Sequence, residues 1–384
     1  MLLPPASLLA IAPLFEISPH QLEVAETLIQ VGRFVVIFLV ARAIAELLVR
    51  LQLPTILGEL VAGVLIGVSG LHLIVPPDTQ AQLAAGVTSL VGSLAGIAPE
   101  ALSQLGLFAL LFLTGLESDL DELVAVGVQA STVAVAGVVL PFALGTAGLY
   151  YLFHVPLIPA VFAGAAMTAT SIGITASVFG ELKWLKRREG QIVIGAAVLD
   201  DILGIVILAV VVAVVGDGAF SFGPLIRLCL AAVAFVAVAL VLSRKAAPAF
   251  DWVVDRLKAP GDVAVASFLV LTVCCFAAQA IGLEAALGAF AAGLILSASK
   301  HTHDIDAAVK PLVALFATVF FVLIGTSMDL SVLNPFDPAN REGLIVAAFL
   351  LVVIGTTFLA PVLLRLAIPS EPSLGEKQAA EQPA

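Results

Sequence analysis

This sequence is short of charge, of basic residues and of usable cysteine. Only 12% of its 384 residues are charged, and Lys and Arg together number 17. The few basic residues flank apolar runs, so the chain has no basic surface for nucleic acid, and its net charge of -11 is read through topology. Cys229, Cys274 and Cys275 all lie within apolar runs and have no spaced His or Cys partner. That excludes a disulfide framework and a zinc site and leaves them as packing residues. No Lys or Arg precedes Arg33, and proline breaks the stretch before it, so a cleaved leader is not expected.

What the chain has is apolar length. Hydrophobic residues make up 61% of it, with a mean hydropathy of +1.15, where a soluble domain is nearer half apolar. The runs are about 18 to 28 residues long, which suits helices crossing a bilayer, whereas barrel strands would alternate over about ten residues. The predicted fold is therefore an all-α polytopic membrane protein with about 11 transmembrane helices. Candidate spans cover 27–50, 54–75, 102–117, 124–152, 158–180, 191–216, 223–243, 263–281, 284–299, 311–328 and 343–367. Residues 83–97 are too short and too rich in Gly and Ser for a span, and are expected in an outer loop or at the interface. The transmembrane domain is thus expected over 27–367, preceded by an extracytoplasmic segment 1–26 and followed by a short disordered tail 368–384. No regulatory domain is expected.

Basic residues set the orientation. They gather in loops of one parity: Arg50; Lys183, Lys186, Arg187 and Arg188; Arg244, Lys245, Arg256 and Lys258; Lys300 and Lys310; Arg365 and Lys377. Loops of the other parity carry only Arg341. The positive-inside rule then places the C-terminus in the cytoplasm and the N-terminus outside.

Within the otherwise uncharged stretch 190–215 two acids stand side by side, Asp200 and Asp201. At about 1.5 Å per residue in a hydrocarbon layer about 30 Å thick, both fall near the midplane. An ionisable group there is expensive and marks function. Neighbours on a helix point about 100° apart, so the two carboxylates have different surroundings and different roles. The preceding span carries TATSIGITAS, with Thr168, Thr170, Ser171, Thr175 and Ser177 around Gly173. Hydroxyls that bond back to their own backbone, together with a glycine, predict a helix that breaks at the midplane and exposes oxygens. Oxygen ligands beside carboxylates suit a hard monovalent cation, and a carboxylate that holds either a proton or a cation is a minimal exchange device. The alternative is that the small residues serve close helix packing.

Glu59 and Glu117 are weaker candidates, structural or at a pathway mouth. Arg42 and Glu46 are spaced to pair on one helix face. His301, His303, Asp304 and Asp306 are expected in a solvated loop, with a pH-sensing role as the alternative. An intramembrane aspartyl protease needs two aspartates facing each other from different helices. Adjacent Asp200 and Asp201 diverge, and no GxGD motif is present.

LPTILGELVAGVLIG, LGLFALLFLTGLE, TATSIGIT, VIGAAVLDDILGIVIL, ALGAFAAGLIL and FFVLIGTSMDL, in that order, closely resemble the monovalent cation:proton antiporters of the second superfamily branch, including NapA-type bacterial Na+/H+ exchangers. The resemblance runs from about residue 30 to 330. It implies an inverted-repeat fold with a dimerisation domain and a mobile core domain, a homodimer, no enzymatic activity and no cofactor. The transported species would be Na+, with K+ or Li+ as alternatives, and H+. It also implies that Asp201 is the ion and proton carrier, that Asp200 is its modulating neighbour, and that Thr168, Thr170 and Ser171 lie at a broken crossover helix. After FFVLIGTSMDLSVL the chain departs from the family pattern. REGLIVAAFLLVVIGTTFLAPVLLRLA stands where about two further spans are expected, so the second repeat reads as incomplete, with no Lys or Arg deep in the membrane after Arg227. A non-transporting homologue is the competing reading.

Overall fold

A computed structural model describes residues 19–51, 53–67, 90–168, 170–215, 222–257, 261–326, 355 and 358–364. Every regular element among them is helical. In chain order these are α1 (Pro19–Arg50), α2 (Thr55–Ile66), α3 (Leu90–Glu117), α4 (Leu120–Ala125) and α5 (Gly127–Ala147), which ends in a π-turn at Gly148–Leu152. Then come α6 (Leu157–Ala166), α7 (Ile172–Glu181), α8 (Arg188–Val215), α9 (Phe222–Val254), α10 (Asp262–Ala280), α11 (Ala285–Leu296) and α12 (Thr302–Thr326). By length and composition Gly127–Leu152, Asp262–Ala280 and Thr302–Thr326 can each cross a membrane, and α2, α6, α7 and α11 are shorter apolar helices.

The chain divides into two compact units, residues 1–104 with 318–330, and residues 105–317 with 331–384. In the first, Ile37 and Ala41 of α1, Ala62 and Ile66 of α2, and Val322 of α12 form a buried cluster. α2 and α12 meet backbone to backbone: a Cβ added to Gly63 would lie 2.7 Å from the Gly325 Cα. Close approach of this kind is how membrane helices gain packing energy where no water remains to be expelled.

In the second unit the core centres on α11, whose residues from Ala286 to Leu296 are all buried. Gly115 of α3 faces Phe290, and Gly293 of α11 faces Phe112, with the Leu116 amide 2.7 Å from where a Gly293 Cβ would sit. On another side Gly288 abuts α10 at Cys275, which belongs to the same core. Cys274 and Cys275 are free thiols.

Several boundaries differ from the sequence-based expectation. α1 starts at Pro19, ahead of the span expected from residue 27, and residues 90–97 form the first turns of α3 rather than a loop. α9 runs on to Val254 and carries Arg244 and Lys245 within it, and α12 begins at Thr302, so His303, Asp304 and Asp306 are helical. A helix can extend past the apolar run that defines its span, because its backbone is satisfied internally at any depth. The disordered tail 368–384 and the C-terminal departure at 327–354 lie outside the described residues.

Candidate ion-binding site

The span predicted to break is broken. α6 ends at Ala166, and α7 begins at Ile172. The Thr168 hydroxyl turns back to donate to the Ala165 carbonyl at 2.8 Å, which satisfies an acceptor that the next helical turn would have used. Ser171 is extended (φ -97°, ψ 98°), and its hydroxyl accepts from the Ile174 amide at 3.4 Å, capping α7. Thr168 and Ser171 therefore shape the break.

Thr170, between them, donates its hydroxyl hydrogen bond to Asp200 Oδ2 on α8. The turn before α8 fixes that helix in place. Gly190 packs against the Trp184 backbone, the buried Gln191 side chain donates to the Leu185 carbonyl, and the Arg187 guanidinium lies 4.7 Å from the Trp184 ring centre. Asp200 retains only 7% of its surface, and its Oδ1 is buried with no hydrogen-bond partner among the described residues. Asp201 is half-buried on the neighbouring face.

Asp200 and Glu284 both lie within electrostatic reach of Asp201. Glu284 is the N-cap residue of α11. It escaped sequence reasoning because an acid at the very start of a span is cheap, and the signal would have been its place at the head of a short apolar helix. Beside this group lies an apolar cavity of about 290 Å³, lined among others by Gly195, Val198 and Leu199 of α8 and Leu287, Phe290 and Leu294 of α11. No three His, Cys, Asp or Glu side chains among the described residues converge closely enough to hold a metal ion.

The other candidates fall elsewhere. Glu59, 6% exposed, belongs to the first unit and accepts from Thr318 of α12 at 2.7 Å. Glu117 closes α3 and pairs with Lys310 at 3.3 Å, at the edge of a polar cavity of about 600 Å³ that Asp119, Asp121 and Lys186 also line. Glu46 pairs with Arg50 at 3.2 Å, while the Arg42 guanidinium lies 5.4 Å from the Phe38 ring centre.

His301 is clasped. Its Nε2 lies 3.0 Å from Asp255 and its Nδ1 3.3 Å from Asp304, and Lys300 reaches the other Asp255 oxygen at 2.5 Å. The hydrogen bond to Asp255, helped by Asp304, raises the His301 pKa above 6.5. Lys300 and His301 together lower that of Asp255 below 3.8.

Residues 34–379 match the profile of the transmembrane sodium/hydrogen exchanger family. The chain belongs to this family. The high-affinity Na+/H+ antiporter NhaS3 of Synechocystis is 48% identical over 335 residues, 83% of this chain and 72% of that protein. The Na+/H+-K+ antiporter GerN of Bacillus cereus is 31% identical over 294 residues, 76% of this chain and 70% of GerN. In architecture this exchanger is similar to the sodium proton antiporter MjNhaP1 of Methanocaldococcus jannaschii, with a TM-score of 0.56 at 20% identity, covering 92% of this chain and 81% of that one. The polytopic all-α antiporter fold expected from the sequence is therefore the fold of this exchanger.

Proposed function

We propose that this exchanger carries a monovalent cation, Na+ with K+ or Li+ as alternatives, against H+ across the membrane by alternating access, with Asp201 and Asp200 as its ion and proton site. The observation that carries this reading is the Thr170 hydrogen bond to Asp200 at a helix break. α7 begins there, and its N-terminal positive end favours a carboxylate. The broken turn and the Thr170 hydroxyl bring oxygen ligands to the same place, as a hard cation requires.

One oxygen of Asp200 is held by Thr170 and the other has no protein donor among the described residues. A buried carboxylate in that condition gains a great deal from a counter-charge. Asp201, less enclosed and repelled by two acids, is the group that trades one cation for one proton. Binding either species removes the same repulsion, so the two compete, and competition for a shared carboxylate couples their opposite movements. Glu59 and Glu117 serve as pathway residues in this reading, and the polar cavity at Glu117 suits a cytoplasmic mouth.

The same reading takes the exchanger as a homodimer in a bacterial plasma membrane, N-terminus outside and C-terminus in the cytoplasm. The transmembrane domain in this reading spans 27–367, with no enzymatic activity and no cofactor. Purified protein in liposomes with an outward Na+ gradient should acidify the lumen as Na+ leaves. Asp201→Asn should abolish this and Asp200→Asn weaken it. Wild-type liposomes that move no protons in response to Na+, K+ or Li+ would sink the proposal, and an Asp201→Asn variant with full exchange would reject Asp201 as carrier.

A further inference from the structure

The geometry points to Glu284 as a third acid of the ion site, a positioning residue whose fixed charge draws the cation to Asp201; this rests on the reading of Asp201 as the carrier. Two helix ends bear on the site, and their signs matter. The N-terminal end of α7 faces Asp200, where a positive end is useful. The N-terminal end of α11 carries the same sign, about half an elementary positive charge, and beside a cation site it would be repulsive. Glu284 stands at that end and reverses its sign.

The placement follows from a cavity that α8 and α11 both line. Val198 and Leu287 line one cavity and share one buried cluster with Leu283 and Ala286. Arg187 and Arg188 stand at the start of α8 and Lys300 follows the end of α11, so by the positive-inside rule the two helices run antiparallel. One turn beyond Val198 on α8 is Asp201, and one turn before Leu287 on α11 is Glu284; on antiparallel helices both steps run the same way along the axis, so the two acids stay level beside the cavity. Glu284 does not spend its carboxylate on its own helix: the backbone there is extended (φ -69°, ψ 141°), and the side chain makes no capping hydrogen bond. It remains exposed at the head of an otherwise buried helix.

Glu284 acts in this inference through its charge; among the described residues no three acids converge into a cage. Its part is the concentration of cation near Asp201, a term in affinity and not in the turnover of a loaded site. A unit charge several ångströms away in a partly wet site is worth about tenfold in binding.

The test uses the full chain in liposomes, with Na+ as the probe. Glu284→Gln should raise the KM for Na+ by about tenfold with the maximal rate little changed. Glu284→Asp, which keeps the charge, should recover most of the loss, and raising ionic strength should narrow the gap between wild type and Glu284→Gln. A Glu284→Gln variant with wild-type KM overturns the inference while leaving Asp201 as carrier. Equal loss of KM and rate in both the Gln and Asp variants assigns Glu284 a packing role and also overturns it. If wild type moves no cation, or Asp201→Asn exchanges normally, the underlying reading has failed and the inference falls with it.

Discussion

Thr170 and Asp200, thirty residues apart, are joined by a hydrogen bond from the threonine hydroxyl to one carboxylate oxygen. The bond ties the interrupted helix α6–α7 to the continuous helix α8. A break in a membrane helix exposes backbone groups that must find partners, and a carboxylate within the membrane must find donors. Each defect answers part of the other's need, which explains why the hydroxyl-rich run and the acid pair occur in adjacent helices.

Thr170→Val keeps the shape and removes the donor. Asp200 then has neither oxygen held by a protein side chain, a condition that costs about 1 to 3 kcal/mol for a buried group. Thermal unfolding should shift downward by that amount, with a weakened apparent affinity for Na+, and Thr170→Ser should restore both. If the Val variant melts and binds as wild type does, the bond carries no energy of consequence.

The acid pair and the break were legible because each violates a strong rule: charge in an apolar run, and hydroxyls with glycine in a helix. Thr168 and Ser171 were legible as members of that region but not in their roles, since the same TATS run could cap, turn back or reach across. The early part of α3 was not legible. Its Gly, Ser and Pro residues argue against a helix by propensity, and propensity is a weak prior. Nor were the helical stretches past the membrane boundary at Arg244 and His303, because apolar length measures the bilayer and not the helix. Glu284 lay where the sequence offers least contrast, at the junction of a loop and a span. Its meaning comes from the cavity that α11 shares with α8, which no local pattern encodes.

Gly293 makes a sharp packing test. A Cβ there would fall 2.7 Å from the Leu116 amide and closer still to the Phe112 carbonyl, both fixed backbone atoms. Gly293→Val should destabilise the second unit by more than the roughly 1 to 3 kcal/mol typical of an overpacked core, because no side chain can move aside. Folded yield in detergent and melting temperature report it, and a Val variant of unchanged stability would mean that α3 and α11 stand further apart.

Thr318 and Glu59 offer a second buried pair in the first unit. Thr318→Val removes one donor at 2.7 Å from a carboxylate that is 6% exposed. A loss of about 1 to 3 kcal/mol is expected. Thr318→Ser should retain most of the stability. Since Glu59 is placed here as a pathway residue, transport by the Val variant discriminates further. A slowed maximal rate at unchanged melting temperature assigns the pair to the pathway, and a lowered melting temperature at unchanged rate assigns it to structure.

The His301 clasp makes stability depend on pH in a stated direction. Its pKa is raised above 6.5 in the folded chain, so the stabilisation is fully present below 6.5 and is lost as pH rises through the raised value. Asp255 is held below 3.8, so its contribution is present above 3.8 and is lost as pH falls through the lowered value. Between 3.8 and 6.5 both charges stand and the link between the end of α9 and the start of α12 is strongest. Asp255 and Lys300 are exposed, so salt screens part of the effect. Proteolysis of the α9–α10 and α11–α12 turns in low salt should accelerate as pH is raised from 6 to 8. His301→Gln should remove most of that pH dependence while leaving the Lys300 pair with Asp255 intact. An equally steep pH dependence in the Gln variant would assign the titration to another group.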